Sequence, residues 1–181
     1  MPIYACDDVL PRIGRGAYVH PDAVVIGDVT LGDDASVWPT AVIRGDFASI
    51  VVGARTSVQD GTVVHTTAAN PTRIGADCVV GHNAHLEGCV IEDHCLIGSM
   101  STVLNRAVVG AHSVVAAGSL VTQGRRVPPR SMVRGIPGTV MPLEGEEHAR
   151  RIASGVAAYV DNARRYPAAL RRVALEDCRT S

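Results

Sequence analysis

Aromatic residues are scarce in this 181-residue chain: one Phe, one Trp and four Tyr make up 3% of it, although 46% is hydrophobic. A globular α/β core normally fills volume with aromatics, so the apolar interior must be aliphatic and finely divided. An excess of either charge is also missing. Lys and Arg total 17 against 18 Asp and Glu, a net charge of -1. Basic residues run no further than pairs such as Arg125-Arg126 and Arg171-Arg172, which argues against a nucleic-acid partner. No stretch approaches the ~18 apolar residues of a membrane span. The opening Met1-Pro2-Ile3-Tyr4-Ala5-Cys6-Asp7-Asp8 has neither the basic nor the apolar region of a signal peptide. The five cysteines (Cys6, Cys78, Cys89, Cys95, Cys178) are odd in number and include no CxxC pair. The expectation is one domain, cytoplasmic, with reduced thiols and no membrane partner.

What the chain does have is a repeat. Val, Ile or Leu recurs every six residues from Ile13 through Val19, Val25, Leu31 and Val37 to Ile43. A three-residue slip precedes Val52, Val58 and Val64, and a four-residue insertion precedes Ile74, Val80 and Leu86. One residue is then lost, and Ile91, Ile97, Val103, Val109, Val115, Val121, Val127 and Val133 follow unbroken. The fourth residue after each anchor is mostly small, as at Ala23, Ala41, Cys78, Cys95 and Ser113. Anchors that fill an interior, with small residues where the chain turns, describe a triangular solenoid of three short strands per coil. The fold class is therefore an all-β solenoid, a left-handed parallel β-helix of hexapeptide repeats over residues 1–141, with a C-terminal α-helix and tail over 142–181. Beyond Pro142, positions Ala149, Ile152, Val156, Tyr159, Ala163 and Tyr166 alternate steps of three and four, one face of a helix. Such a helix covers the flank of a solenoid, and Pro167 should end or kink it.

The register allows a deduction about chemistry. Three anchors complete a coil, and adjacent coils lie about 4.8 Å apart. Ile43, Val64 and Leu86 therefore stack on one face, and so do the outward residues after them, Arg44, His65 and Glu87. On a neighbouring face Val58, Val80 and Ile97 stack, with Asp60, His82 and Ser99 two residues on. His82 points away from His65 within one prism, but a closed three-fold assembly brings two different faces together. His65 and Glu87 of one copy would then meet His82 of the next, and two His with one Glu is a catalytic zinc set that leaves a position for water. A surface His on a solenoid is ordinarily just solvated. His20, His94, His112 and His148 are read that way, and spacing alone leaves both readings of His65 and His82 open.

Arg44-Gly45-Asp46, then Ser57-Val58-Gln59-Asp60 with His65, then Gly81-His82-Asn83-Ala84 resemble the γ-class carbonic anhydrases. The resemblance covers about residues 10–170, including a helix carrying Tyr159. It implies a homotrimer with three interfacial metal ions, Zn2+ and in some members Fe2+, each held by three His from two subunits. His65 and His82 match two of these ligands. Arg44 and Asp46 match interface salt bridges, and Gln59 and Asp60 match residues that line the site and orient metal-bound solvent. The implied reaction is attack of metal-bound hydroxide on CO2 to give bicarbonate, zinc having lowered the pKa of its water to about 7. Three departures stand out. Glu87 occupies the third His position, with an additional His85 two residues earlier as the alternative ligand. Ser57 replaces an Asn. Phe47 follows Asp46, and the insertion 66–73 carries no acid to shuttle protons. An anionic ligand leaves bound water less acidic than imidazole does, so a weaker hydratase is expected. The alternatives are thioester or other small-molecule hydrolysis on the same site, a non-catalytic trimeric binding protein, and a hexapeptide acyltransferase with an interfacial His as general base.

Overall fold

The computed structural model describes residues 2–179. Their strands wind into a three-faced parallel solenoid. One face is an eight-stranded ladder in which Val19, Val37, Val58, Val80, Ile97, Val115 and Val133 stack in register. A second face stacks Val25, Ile43, Val64, Leu86, Val103 and Val121, and a third stacks Leu31, Val52, Ile74, Ile91, Val109 and Val127. All these anchors are buried, most of them completely, in one aliphatic core. Only the first anchor, Ile13, is exposed, because it lies at the open end of the prism.

The corners are built by small residues and left-handed backbone. Ala35, Thr56, Cys78, Cys95 and Ser113 are buried at one of them. Asp34, Arg55, Asp77, His94, His112 and Arg130 turn that edge at φ values of 54–58°, a conformation that short polar side chains tolerate best. The three-residue slip is not a widened corner. It is absorbed by two long strands, Val24–Leu31 and Val42–Val52, which run from one face to the next with a register shift between Gly27 and Val29. The Arg44-Gly45-Asp46 segment lies on this excursion and projects from the prism.

The strand Ile3–Tyr4 adds to the Val25–Ile26 edge, and Thr139–Pro142 pairs antiparallel with Ser131–Arg134 at the other end. Neither follows the six-residue period. A helix, Glu147–Ala169, then packs along the His82 face. It buries Ile152, Val156 and Val160 against Val79 and Val114. The expected inward face thus includes Val160 as well. Pro167 does not end the helix, which runs on to Ala169 because Pro167 falls in its last turn. Four of the few aromatics seal this seam. Trp38 meets Tyr159 and Tyr166 edge-on at centroid distances of 5.5 and 5.0 Å, and Tyr18 lies 5.5 Å away. The buried Trp38 indole N–H donates to Ser36 Oγ and Ser57 Oγ at 3.0 and 2.9 Å. Among the described residues no helix is long and apolar enough to cross a membrane.

Candidate metal centre

The parallel pairing sets Glu87 directly against His65, one coil apart. Asp46 reaches them from the excursion below. Its carboxylate takes an ion pair from Arg44 and lies 3.1 Å from His65 Nε2. Partial burial opposes ionisation of Asp46, but the Arg44 and His65 hydrogen bonds outweigh it and hold its pKa below the usual carboxylate range. His65 Nδ1 faces the other way, 3.7 Å from Glu87 Oε2. Glu87 is itself fixed: its Oε1 accepts a 2.7 Å hydrogen bond from the Asn105 amide. Asn105 is steadied in turn by Thr67, which Asn70 braces at 2.7 Å. Gly88 is required here, because a Cβ would collide with the Asn105 amide oxygen and φ is +58°.

Each of these side chains has one engaged atom and one free. His65 keeps Nδ1 and Glu87 keeps Oε2. His85 also leans along its strand, so that its Nε2 lies 3.7 Å from the same Glu87 Oε2. Side-chain length therefore bridges the two-residue offset along the strand. Two ligand atoms on one tetrahedral zinc, at bond lengths of about 2.0–2.2 Å, stand about 3.3 Å apart. A separation of 3.7 Å is close to that, so Glu87 with either His65 or His85 fits two corners of a zinc site.

On the neighbouring face His82 sits at a corner turned by Asn83 at φ 54°. Its Nδ1 lies 2.9 Å from Asp60 Oδ2, and the side chain is about half exposed at 47%. A carboxylate on the distal nitrogen is the usual partner of a metal-binding imidazole, since it fixes tautomer and ring orientation. Gln59 is buried beside it. Burial and the Asp60 charge raise the Tyr159 pKa against an opposing influence of the Gln59 amide, so the phenol stays protonated. Among the described residues no three His, Cys, Asp or Glu side chains converge as a metal site within one chain. His65 with Glu87, and His82 with Asp60, are two separate clusters on neighbouring faces.

Comparison with known proteins places the chain among hexapeptide-repeat proteins. Residues 11–45, 71–105 and 88–123 match the bacterial transferase hexapeptide (six repeats) family. Over 160 residues, 85% of this chain, the sequence is 38% identical to gamma carbonic anhydrase 2, mitochondrial, of Arabidopsis thaliana. It spans 58% of that protein's length. It is also 38% identical to the carnitine operon protein CaiE of Escherichia coli, over 76% of this chain and 70% of the other. The chain belongs to the γ-carbonic-anhydrase-like family of hexapeptide-repeat proteins. Among solved structures, a hexapeptide transferase family protein from Anaplasma phagocytophilum superposes with a TM-score of 0.87 at 34% identity, over 91% of this chain and 98% of that one.

Within that family frame, two features had escaped the sequence reading. Asn105 holds Glu87, yet nothing in the six-residue period marks it; the nearest signal is Gly88, an oddly placed glycine beside a charged residue. His20 is not solvated but 8% exposed, its Nδ1 accepting the Asp22 N–H at 3.1 Å. His148 borders a trench that begins at His82, while His94 and His112 are exposed and stack ring on ring at 4.7 Å.

Proposed function

We propose that three copies of this chain assemble around a three-fold axis and that each interface unites His65 and Glu87 of one copy with His82 of the next around a zinc ion. The observation that supports this most directly is the pair of clusters on neighbouring faces, each with an imidazole that has one nitrogen beside an aspartate and the other not held by it. The exposed Phe47, Val63 and Met100 around them suit burial in an interface. Bound there, zinc supplies a Lewis acid that lowers the pKa of coordinated water to about 7, and the reaction proposed is reversible hydration of CO2 to bicarbonate.

The chain's own residues have separable tasks. Asp46 and Asp60 orient the two imidazoles. Arg44 keeps Asp46 ionised. Gln59 and Asp60 present hydrogen-bonding groups to substrate and water, with the Tyr159 phenol behind them. Glu87 contributes a negative charge where relatives use neutral imidazole, which moves the activity to higher pH. His85 stands beside Glu87 as a substrate-facing group.

Metal analysis of the purified protein alongside a stopped-flow CO2 hydration assay tests the reading. About one zinc or iron per chain, with hydration that rises towards alkaline pH, is the expected result. Metal-free trimers, or metal-loaded trimers inert at every pH, would overturn it.

A further inference from the structure

The His82 face carries a cavity larger than its proposed chemistry requires. A trench of about 450 Å3 runs from Gln59 and His82 between the solenoid and the first half of the helix. Its floor is a ladder of small residues: Gly81, Gly98 and Ala116, flanked by Ser99 and Ala117, on successive coils. Two coil steps beyond His82 give the floor a length of about 10 Å. Val79, Leu96 and Val114 make one wall.

The helix sets the polarity of the trench. Gly155 stands over Val79: a Cβ there would lie 3.6 Å from Val79 Cγ2. Arg151 and His148 lie about 6 and 10 Å nearer the helix start, beside the later coils that hold Leu96 and Val114. Both border the trench. The other helix arginine that crosses to the solenoid, Arg164, is neutralised by Asp34 at 3.2 Å. Arg151 takes part in no ion pair among the described residues. A cavity of this size belongs to the range that holds small organic ligands, and a triatomic substrate would leave it almost empty.

We propose that the trench is a binding subsite for a linear aliphatic chain that ends in an anion. The reacting carbon lies at the His82 end, the chain lies over Gly98, Ala116 and Ala117, and the anionic end meets Arg151 with His148. The apolar wall supplies burial for the chain, and the unpaired guanidinium supplies the charge complement. A length of about 10 Å accommodates roughly six to eight chain bonds. The inference rests on the proposed function only for the chemistry at His82.

Calorimetric titration of octanoate into the purified full chain tests it, with acetate as the chainless control. Saturable octanoate binding near one per chain is expected, with acetate much weaker. Arg151→Ala should weaken octanoate about tenfold. Ala117→Leu, at an exposed position where folding is not at stake, should fill the floor and remove binding. Octanoate that binds no better than acetate, or that ignores both substitutions, would overturn the proposal, as would a trench closed by a neighbouring copy so that octanoate does not bind. Zinc content and CO2 hydration measured on the same samples separate the two ideas. Octanoate binding without metal or hydration removes the proposed function and keeps the trench, and the opposite result does the reverse.

Discussion

At the scale of single residues, the site divides into groups that could hold metal and groups that hold those groups. Glu87 and His85 are the pair to distinguish. Glu87 Oε2 faces His65 Nδ1 at 3.7 Å, whereas His85 approaches only Glu87. Glu87→Ala should therefore lose most bound metal and His85→Ala should retain it, measured by elemental analysis after gel filtration. The opposite pattern would make His85 the ligand. Glu87→His removes an anion from the ligand set and should raise hydration at pH 7. Asn105→Ala frees the Glu87 carboxylate to rotate, and losing such an outer partner should weaken metal binding about tenfold or more, which a competition titration with a chelator reads. The register arithmetic placed His65 against Glu87 and His82 over Asp60 because a parallel ladder repeats its side chains at a fixed step. It was silent on Asn105, Thr67 and Asn70, because they come together through the insertion and a glycine turn outside the period.

At the scale of elements, the solenoid strands were legible down to individual anchors, since each short strand has a single inward side chain and the same residue types recur there. The helix was legible as a face, but the partner of that face was not. Trp38, a lone aromatic in the sequence, proves to be the hub of the seam between helix and prism. Its two serine hydrogen bonds and its three aromatic neighbours make separate contributions. Trp38→Phe keeps the ring stacking and should cost about 1–2 kcal/mol through the lost indole bonds. Trp38→Ala also leaves a cavity and should cost about 3–5 kcal/mol, with the helix exchanging its amide hydrogens first. One corner gives a pH test. Arg55 grips Asp77 with two bonds of 2.7 and 2.5 Å and so depresses the Asp77 pKa, against the opposing effect of burial. A carboxylate whose folded pKa is lowered stabilises above its unfolded pKa and loses that contribution as pH falls through the folded one. Asp77→Asn should consequently destabilise by about 0.5–1 kcal/mol at pH 7, with the difference from the parent closing only as pH falls below the usual carboxylate range. Urea melts at a series of pH values would show a constant difference if the pair is inert.

At the scale of the whole molecule, assembly and activity should rise and fall together, because neither cluster has enough ligands alone. Light scattering should give about three times the 19.0 kDa of one chain, and the melting temperature should climb with protein concentration. Arg44→Ala releases Asp46 from its ion pair and should shift the assembly towards monomer at micromolar concentration. An unchanged trimer would mean that the pair only orients His65. The fold class could be read from sequence because the coils repeat, but both ends of the solenoid could not, and the end formed by Thr139–Pro142 has a consequence of its own. A parallel stack contains no instruction about length: every finished coil is a template for another, from the same chain or a stranger's. Here the last strand runs backwards, offering an incoming coil the wrong direction, and Pro142 withholds one of its amide donors. On that face the solenoid is in this sense a fibre given a stop signal: four residues at its end refuse to continue the pattern that built it.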